Sequence, residues 1–181
     1  MSIFKRSALG FSLVACATLM LPVFTGTANA ANAAPGALIR NYQSGKCLDA
    51  DANFLGYNGD RVRLWTCNGG ANQKWLPIPG NPHVKNQVVL ENAADGKCLD
   101  ADANGLNNNG DRIQLWDCGS LVHPAEQTWE MINVYGSTTD WVFRNLADGK
   151  VLDADANSVN NNGGKVQLWD WWGGANQIWQ G

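Results

Sequence analysis

The stretch Gly45-Lys46-Cys47-Leu48-Asp49-Ala50-Asp51-Ala52-Asn53 returns unchanged at Gly96 to Asn104 and once more at Gly149 to Asn157, where Val151 replaces the cysteine. The offsets, 98 minus 47 and 151 minus 98, are 51 and 53 residues. Each copy runs on through Leu64-Trp65, Leu115-Trp116 or Leu168-Trp169 to Gln73-Lys74-Trp75, Gln127-Thr128-Trp129 or Gln177-Ile178-Trp179. Order and period persist, so the chain is a threefold internal repeat, with copies over residues 37–80, 87–133 and 141–181.

Within a copy the local signals are those of strands. Short runs rich in β-branched and aromatic residues, such as Arg61 to Cys67, lie between the turn pairs Ser44-Gly45, Asp95-Gly96 and Asp148-Gly149, and Asn58-Gly59, Asn109-Gly110 and Asn162-Gly163 close the longer loops. Four strands are predicted per copy, in the first near 37–41, 46–50, 61–67 and 74–78, giving twelve. Four-stranded repeats of this length also describe a propeller blade, but three are too few to close that ring. Three do close a β-trefoil, an all-β barrel capped by hairpins that leaves no open sheet edge.

The 181 residues carry 13 basic and 16 acidic side chains, a net charge of −3, which supplies no electrostatic footprint for nucleic acid. With 45% hydrophobic residues, 20 glycines and nine tryptophans, the composition suits a turn-rich β domain built on large apolar anchors. Residues 1–30 read as a secretory signal: Lys5 and Arg6, an apolar run from Ala8 to Phe24, and the small-x-small site Ala28-Asn29-Ala30. Residues 31–36 are then a short extension before a domain over 37–181, and an exported chain without membrane insertion is expected. The alternative is a lipoprotein box, Leu13-Val14-Ala15-Cys16, anchoring the chain through Cys16.

Strand alternation sorts the side chains. Leu48, Val62 and Leu64 share one face, as do Leu99, Ile113 and Leu115, and then Leu152, Val166 and Leu168. That face is the predicted core, which leaves the Asp, Trp and Cys set looking outward: Asp49 with Trp65, Asp100 with Trp116, Asp153 with Trp169. A carboxylate that accepts two hydroxyl hydrogens, an aromatic face for a ring's C–H surface and an amide that donates are together what a saccharide needs. Asp51, Asp102 and Asp155 are instead expected to bond their own loop backbone.

The pattern Cys-Leu-Asp, Gln-Leu-Trp and Asn-Gln-x-Trp, three times over, resembles the ricin B-chain type of carbohydrate-binding β-trefoil across residues 37–181. In that family the Gln and Trp of Gln-x-Trp are chiefly structural, and sugar is held by the Asp after Cys-Leu, the outward aromatic and the polar pair before the last Trp. The resemblance therefore implies glycan or polysaccharide partners and up to three shallow sites. Repeat three is complete with Asp153, Gln167, Trp169, Asn176 and Gln177. Repeat one has Asp49, Trp65, Asn72 and Gln73 but Arg63 in the place of the first glutamine. Repeat two has Asp100, Gln114, Trp116 and Gln127, but Glu126 replaces the asparagine, and Trp116 to Gln127 spans 11 residues against 8 elsewhere. The expected ranking is three, one, two, with Tyr57 as a possible extra stacking ring in repeat one.

Cys47 to Cys67 and Cys98 to Cys118 are each 20 apart, and of the three pairings of four cysteines only this one obeys the repeat. Repeat three has Val151 and Trp171 there, and apolar contact by Trp171 is expected to close its hairpin. An enzyme would need an asymmetric constellation. Two histidines in unrelated loops, His83 and His123, and threefold-recurring acids do not supply one. Asp49-x-Asp51-x-Asn53 opens like an EF-hand but has Phe54 at the required glycine and Asp60 at the closing glutamate, so neither metal nor cofactor is predicted. A β-trefoil that binds protein without sugar affinity is the competing reading.

Overall fold

The computed structural model describes residues 36–119, 123–134 and 136–181; the expected signal segment and Cys16 lie outside them. Repeat one supplies β1 (Ala37–Leu38), β2 (Arg40–Asn41), β3 (Cys47–Ala50), β4 (Asp60–Trp65) and β5 (Lys74–Pro79). Repeat two supplies β6 (Gln87–Asn92), β7 (Cys98–Ala101), β8 (Asp111–Trp116) and β9 (Trp129–Asn133). Repeat three supplies β10 (Asp140–Asn145), β11 (Val151–Ala154), β12 (Gly164–Trp169) and β13 (Trp179–Gln180). The thirteenth strand arises because the first predicted strand is interrupted at Ile39, where it changes partner: β1 pairs with β5, and β2 pairs with β13.

That change of partner closes the barrel. Antiparallel pairing runs from β1 to β5, β6, β9, β10 and β13, and returns through β2, so this ring of strands has no free edge to template aggregation. The hairpins β3–β4, β7–β8 and β11–β12 form the cap, and β4, β8 and β12 pair with one another around the threefold axis. This is a β-trefoil.

The threefold closure has a local cause in the Asn-Gly turns. Gly59, Gly110 and Gly163 adopt φ of 86°, 92° and 84°, a left-handed conformation in which a side chain would be strained. Each then donates its N–H to the next repeat, to the carbonyls of Leu115, Leu168 and Leu64. The asparagine before each glycine extends the link. Asn58 bonds Asp117 and Lys97, Asn109 bonds Asp170 and Lys150, and Asn162 bonds Lys46 and Thr66. The Asn-Gly pairs thus stitch each copy to its neighbour.

The predicted core residues are buried, from Leu48, Leu64 and Val62 to Leu152, Val166 and Leu168. Trp75, Trp129 and Trp179 are fully enclosed, and each indole N–H donates to a cap-strand carbonyl, of Leu48, Leu99 and Leu152. A buried tryptophan with its one donor satisfied joins barrel to cap in every repeat. Leu55, Leu106 and Val159 also pack on this core from the long loops.

Both expected disulfides form, Cys47–Cys67 and Cys98–Cys118, each with Cα atoms 5.1 Å apart. On the chain-entropy account each loop closure stabilises by about 3 kcal/mol. In repeat three, Val151 and Trp171 line an open apolar cleft together with Ile132, Val134 and Val142. Trp171, 47% exposed, stands beside that cleft.

Candidate functional site

Each cap hairpin places an aspartate opposite a donor residue in strict register: Asp49 with Arg63, Asp100 with Gln114, Asp153 with Gln167. The side chains meet as their backbones do. Arg63 Nε, Gln114 Nε2 and Gln167 Nε2 donate to one carboxylate oxygen at 3.1, 2.9 and 3.0 Å.

A short 3-10 turn then folds over the other carboxylate oxygen, at Ala71–Gln73, Ala125–Gln127 and Ala175–Gln177. Its glutamine is clipped to backbone at both ends of the amide. Gln73, Gln127 and Gln177 donate to the carbonyls of Thr66, Asp117 and Asp170 and accept from the N–H of Asn68, Gly119 and Trp172. All three glutamines are buried, so they set the position of the aspartate and the loop without facing solvent. The adjoining Asn72 and Asn176 each donate at 2.9 Å to their aspartate and also to the carbonyl of the next alanine. Glu126 has no amide donor to make this bond.

The turn corrects one expectation. Asp49, Asp100 and Asp153, with Cys47 and Cys98, lie on the face predicted to look outward, yet all are buried. Alternation names a face but not what covers it, and here the 3-10 turn and the cross-strand donor cover the carboxylates. The tryptophans differ by repeat: Trp116 is 44% and Trp169 37% exposed, while Trp65 is half-buried.

The cause of that difference is Arg63. Its guanidinium lies 4.2 Å from the Trp65 ring centroid and bridges Asp49 at 3.1 Å and Asp51 at 2.6 Å. Arg63 Nε and Nη1 are thereby committed to carboxylates. Tyr57 does not join this cluster, since it lines a separate hollow with Phe54, Asn58 and Arg61. Repeats two and three are open. Asp100, Gln114, Trp116 and Gln127 line one cleft with Asp102, Asn104 and Glu126, and Asp153, Gln167, Trp169 and Asn176 line another with Asp155, Asn157 and Trp172.

Electrostatics follow the same division. Burial pushes the carboxyls of Asp153 and Asp100 above the usual value, against the lowering effect of their glutamine donors; Glu126 and Asp102 add to the rise at Asp100. At Asp51 burial also acts upward, but Arg61, Asn53 and Arg63 outweigh it and the net shift is downward. Asp51, Asp102 and Asp155 accept from the backbone N–H of Asn53, Asn104 and Asn157, the loop-bonding role expected of them. Among the described residues no three His, Cys, Asp or Glu side chains cluster as metal ligands.

The profile of the ricin-type beta-trefoil lectin domain matches residues 35–179, all but the last two residues of the repeat region. The chain belongs to this family. Comparison with curated protein sequences returns no match. Among solved structures, the designed three-fold symmetric protein ThreeFoil superposes with a TM-score of 0.69 at 23% identity, covering 79% of this chain and 94% of that one. The ricin B-like lectin of Macrolepiota procera, solved with lactose, gives 0.62 at 22% identity, over 79% and 91% of the two chains. An exo-β-1,3-galactanase from Clostridium thermocellum gives 0.69 at 22% identity, but the match covers 81% of this chain and only 30% of that enzyme. At these identities the likeness concerns the fold. Family membership supports carbohydrate binding as the chain's general activity.

Proposed function

We propose that the chain is an exported, non-catalytic lectin that holds sugar rings in the clefts of repeats three and two, with repeat one closed by its own Arg63. The observation that carries this reading is the asymmetry of the three aspartates. Asp153 and Asp100 are held by neutral amide donors beside an exposed indole, whereas Asp49 is bridged by a guanidinium packed on Trp65. The proposed order is therefore three, two, one, exchanging the last two places of the expected ranking.

In this mechanism the glutamines and asparagines fix the carboxylate, and vicinal hydroxyls donate to its oxygens while the ring's C–H face lies on Trp169 or Trp116. Gln73, Gln127 and Gln177 are positioning residues. Weak single sites become useful through several contacts with one polymer, where linkage raises avidity by about 10² to 10⁴. Two disulfides are in keeping with an oxidising compartment. The relatives solved with lactose or named as a galactanase make galactose-type sugars the first probes, followed by xylan and arabinan.

A glycan array combined with pull-down on insoluble polysaccharides tests the reading. Retention on a glycan that free sugar competes away supports it. Tight binding to a protein partner with no glycan retained overturns it in favour of an interaction β-trefoil.

A further inference from the structure

Trp172 is the most exposed tryptophan of the domain among the described residues, at 63%, and nothing in the threefold plan calls for it. Its backbone N–H is held by Gln177 Oε1 at 3.0 Å, and the residues held in the same way in the other repeats are Asn68 and Gly119. The position is thus fixed by the repeat architecture, while the indole belongs to repeat three alone. Its neighbour Trp171 turns to the opposite side and lines the apolar cleft beside Val151. Trp172 instead lines the cleft of Asp153, Trp169 and Asn176.

The indole has a built seat. A Cβ on Gly174 would stand 2.1 Å from Cζ2 and 2.2 Å from Cη2 of Trp172, so the six-membered ring lies directly against the Gly174 backbone. The corresponding residue in repeat two is Pro124, which heads its 3-10 turn as Gly174 does. A large apolar ring exposed to water, pinned at its backbone and lodged on a glycine, is an aromatic platform.

We infer that Trp172 forms a second sugar platform in repeat three, so that this cleft takes two consecutive rings of a glycan chain, one over Asp153 and Trp169 and the next on Trp172. The inference rests on the proposed lectin function and deepens it: repeat three reads chain length, and repeat two, with Gly119 at this position, reads a single ring. Stacking on a tryptophan face needs no particular hydroxyl pattern, so the second position selects for a neighbouring ring more than for its identity.

The test uses the full chain carrying Trp116→Ala, which removes the exposed ring of repeat two. Calorimetry with galactose and β-1,3-galactotetraose, and with xylose and xylotetraose, is then repeated after adding Trp172→Ala or Trp169→Ala. Trp172→Ala is expected to weaken the tetrasaccharide about tenfold and to leave the monosaccharide within twofold. Trp172→Phe should restore most of the loss, and thermal unfolding should not move because the side chain is largely solvated. Trp169→Ala should weaken both ligands. Equal weakening of mono- and tetrasaccharide by Trp172→Ala, or no change in either, overturns the second platform and leaves the lectin reading standing. Failure of the unsubstituted chain to retain any glycan on the array overturns the lectin reading, and this inference with it; glycan binding without any preference for the tetrasaccharides over galactose and xylose overturns the second platform alone.

Discussion

Repeats one and three share the strand, the aspartate, the indole and the asparagine-glutamine pair, and the residue facing the aspartate across the hairpin differs between them. Opposite Asp153 stands Gln167, whose amide donates one hydrogen bond and leaves Trp169 open. Opposite Asp49 stands Arg63, long enough to reach past it to Asp51 and flat enough to lie on Trp65. The same frame therefore makes a cleft in one case and a buried ion pair in the other. A guanidinium facing the carboxylate satisfies both its charge and the aromatic face beside it, whereas an amide satisfies one carboxylate oxygen and leaves the ring open.

The largest expected effect is at repeat three. Asp153→Ala should weaken monosaccharide binding at that site about 100-fold, since two charge-assisted acceptors are lost from a cleft arranged around them. Calorimetry on the Trp116→Ala background reads it, and an unchanged Kd would break the comparison. Asp49→Ala should leave sugar binding as it was but destabilise the fold by about 2 kcal/mol, because Arg63 keeps Asp51 but loses one carboxylate in a buried place. Urea unfolding measures this, and a loss of binding without loss of stability would return repeat one to the list of sites.

Arg63→Gln should give repeat one the cross-strand donor that repeat three has opposite its aspartate. The calorimetric stoichiometry is expected to rise by one weak site, and Trp65 fluorescence should respond to sugar, at a cost of about 1 kcal/mol in stability. A stoichiometry that stays put would show that Arg63 is not what closes the cleft.

The smallest effect is on the pH dependence of stability, to which Asp153 and Asp51 should contribute with opposite signs. Asp153 has a folded pKa raised above 3.8, so the native state holds this proton more firmly than the unfolded chain. Its contribution to stability falls as pH rises from 3.8 through the folded value. Asp51 has a folded pKa below 3.8; its contribution is present above 3.8 and is lost as pH falls through the folded value. Urea midpoints between neutral and acid pH, compared with those of Asp153→Asn and Asp51→Asn, check both slopes. Slopes of the same sign would refute the assignment of burial to one and ion pairing to the other.

The three Gln-x-Trp motifs, the Asn-Gly pairs and the equal cysteine spacing were legible as fold because each is a local pattern that recurs, and recurrence in sequence is recurrence in space when every copy must pack on the others. Alternation assigned Leu48, Val62 and Leu64 to the core correctly, since a strand has only two faces. It failed for Asp49, Asp100 and Asp153, whose face is covered by a turn more than 20 residues further along the chain. The glutamine clip and the stitching by Asn58, Asn109 and Asn162 were illegible for the same reason: their partners lie in another element or another repeat.

The sequence alone determined that three copies of a four-stranded unit close on one core, which residues line that core, and which cysteines face each other, because all of these depend on period and alternation. Only the tertiary structure decided what surrounds each aspartate. Arg63 is a substitution of one polar residue for another until Asp49, Asp51 and Trp65 are brought around it, and Trp172 is one more tryptophan until Gly174 seats it beside Trp169. Availability is a property of the space around a side chain, and that space is enclosed by residues distant in the sequence.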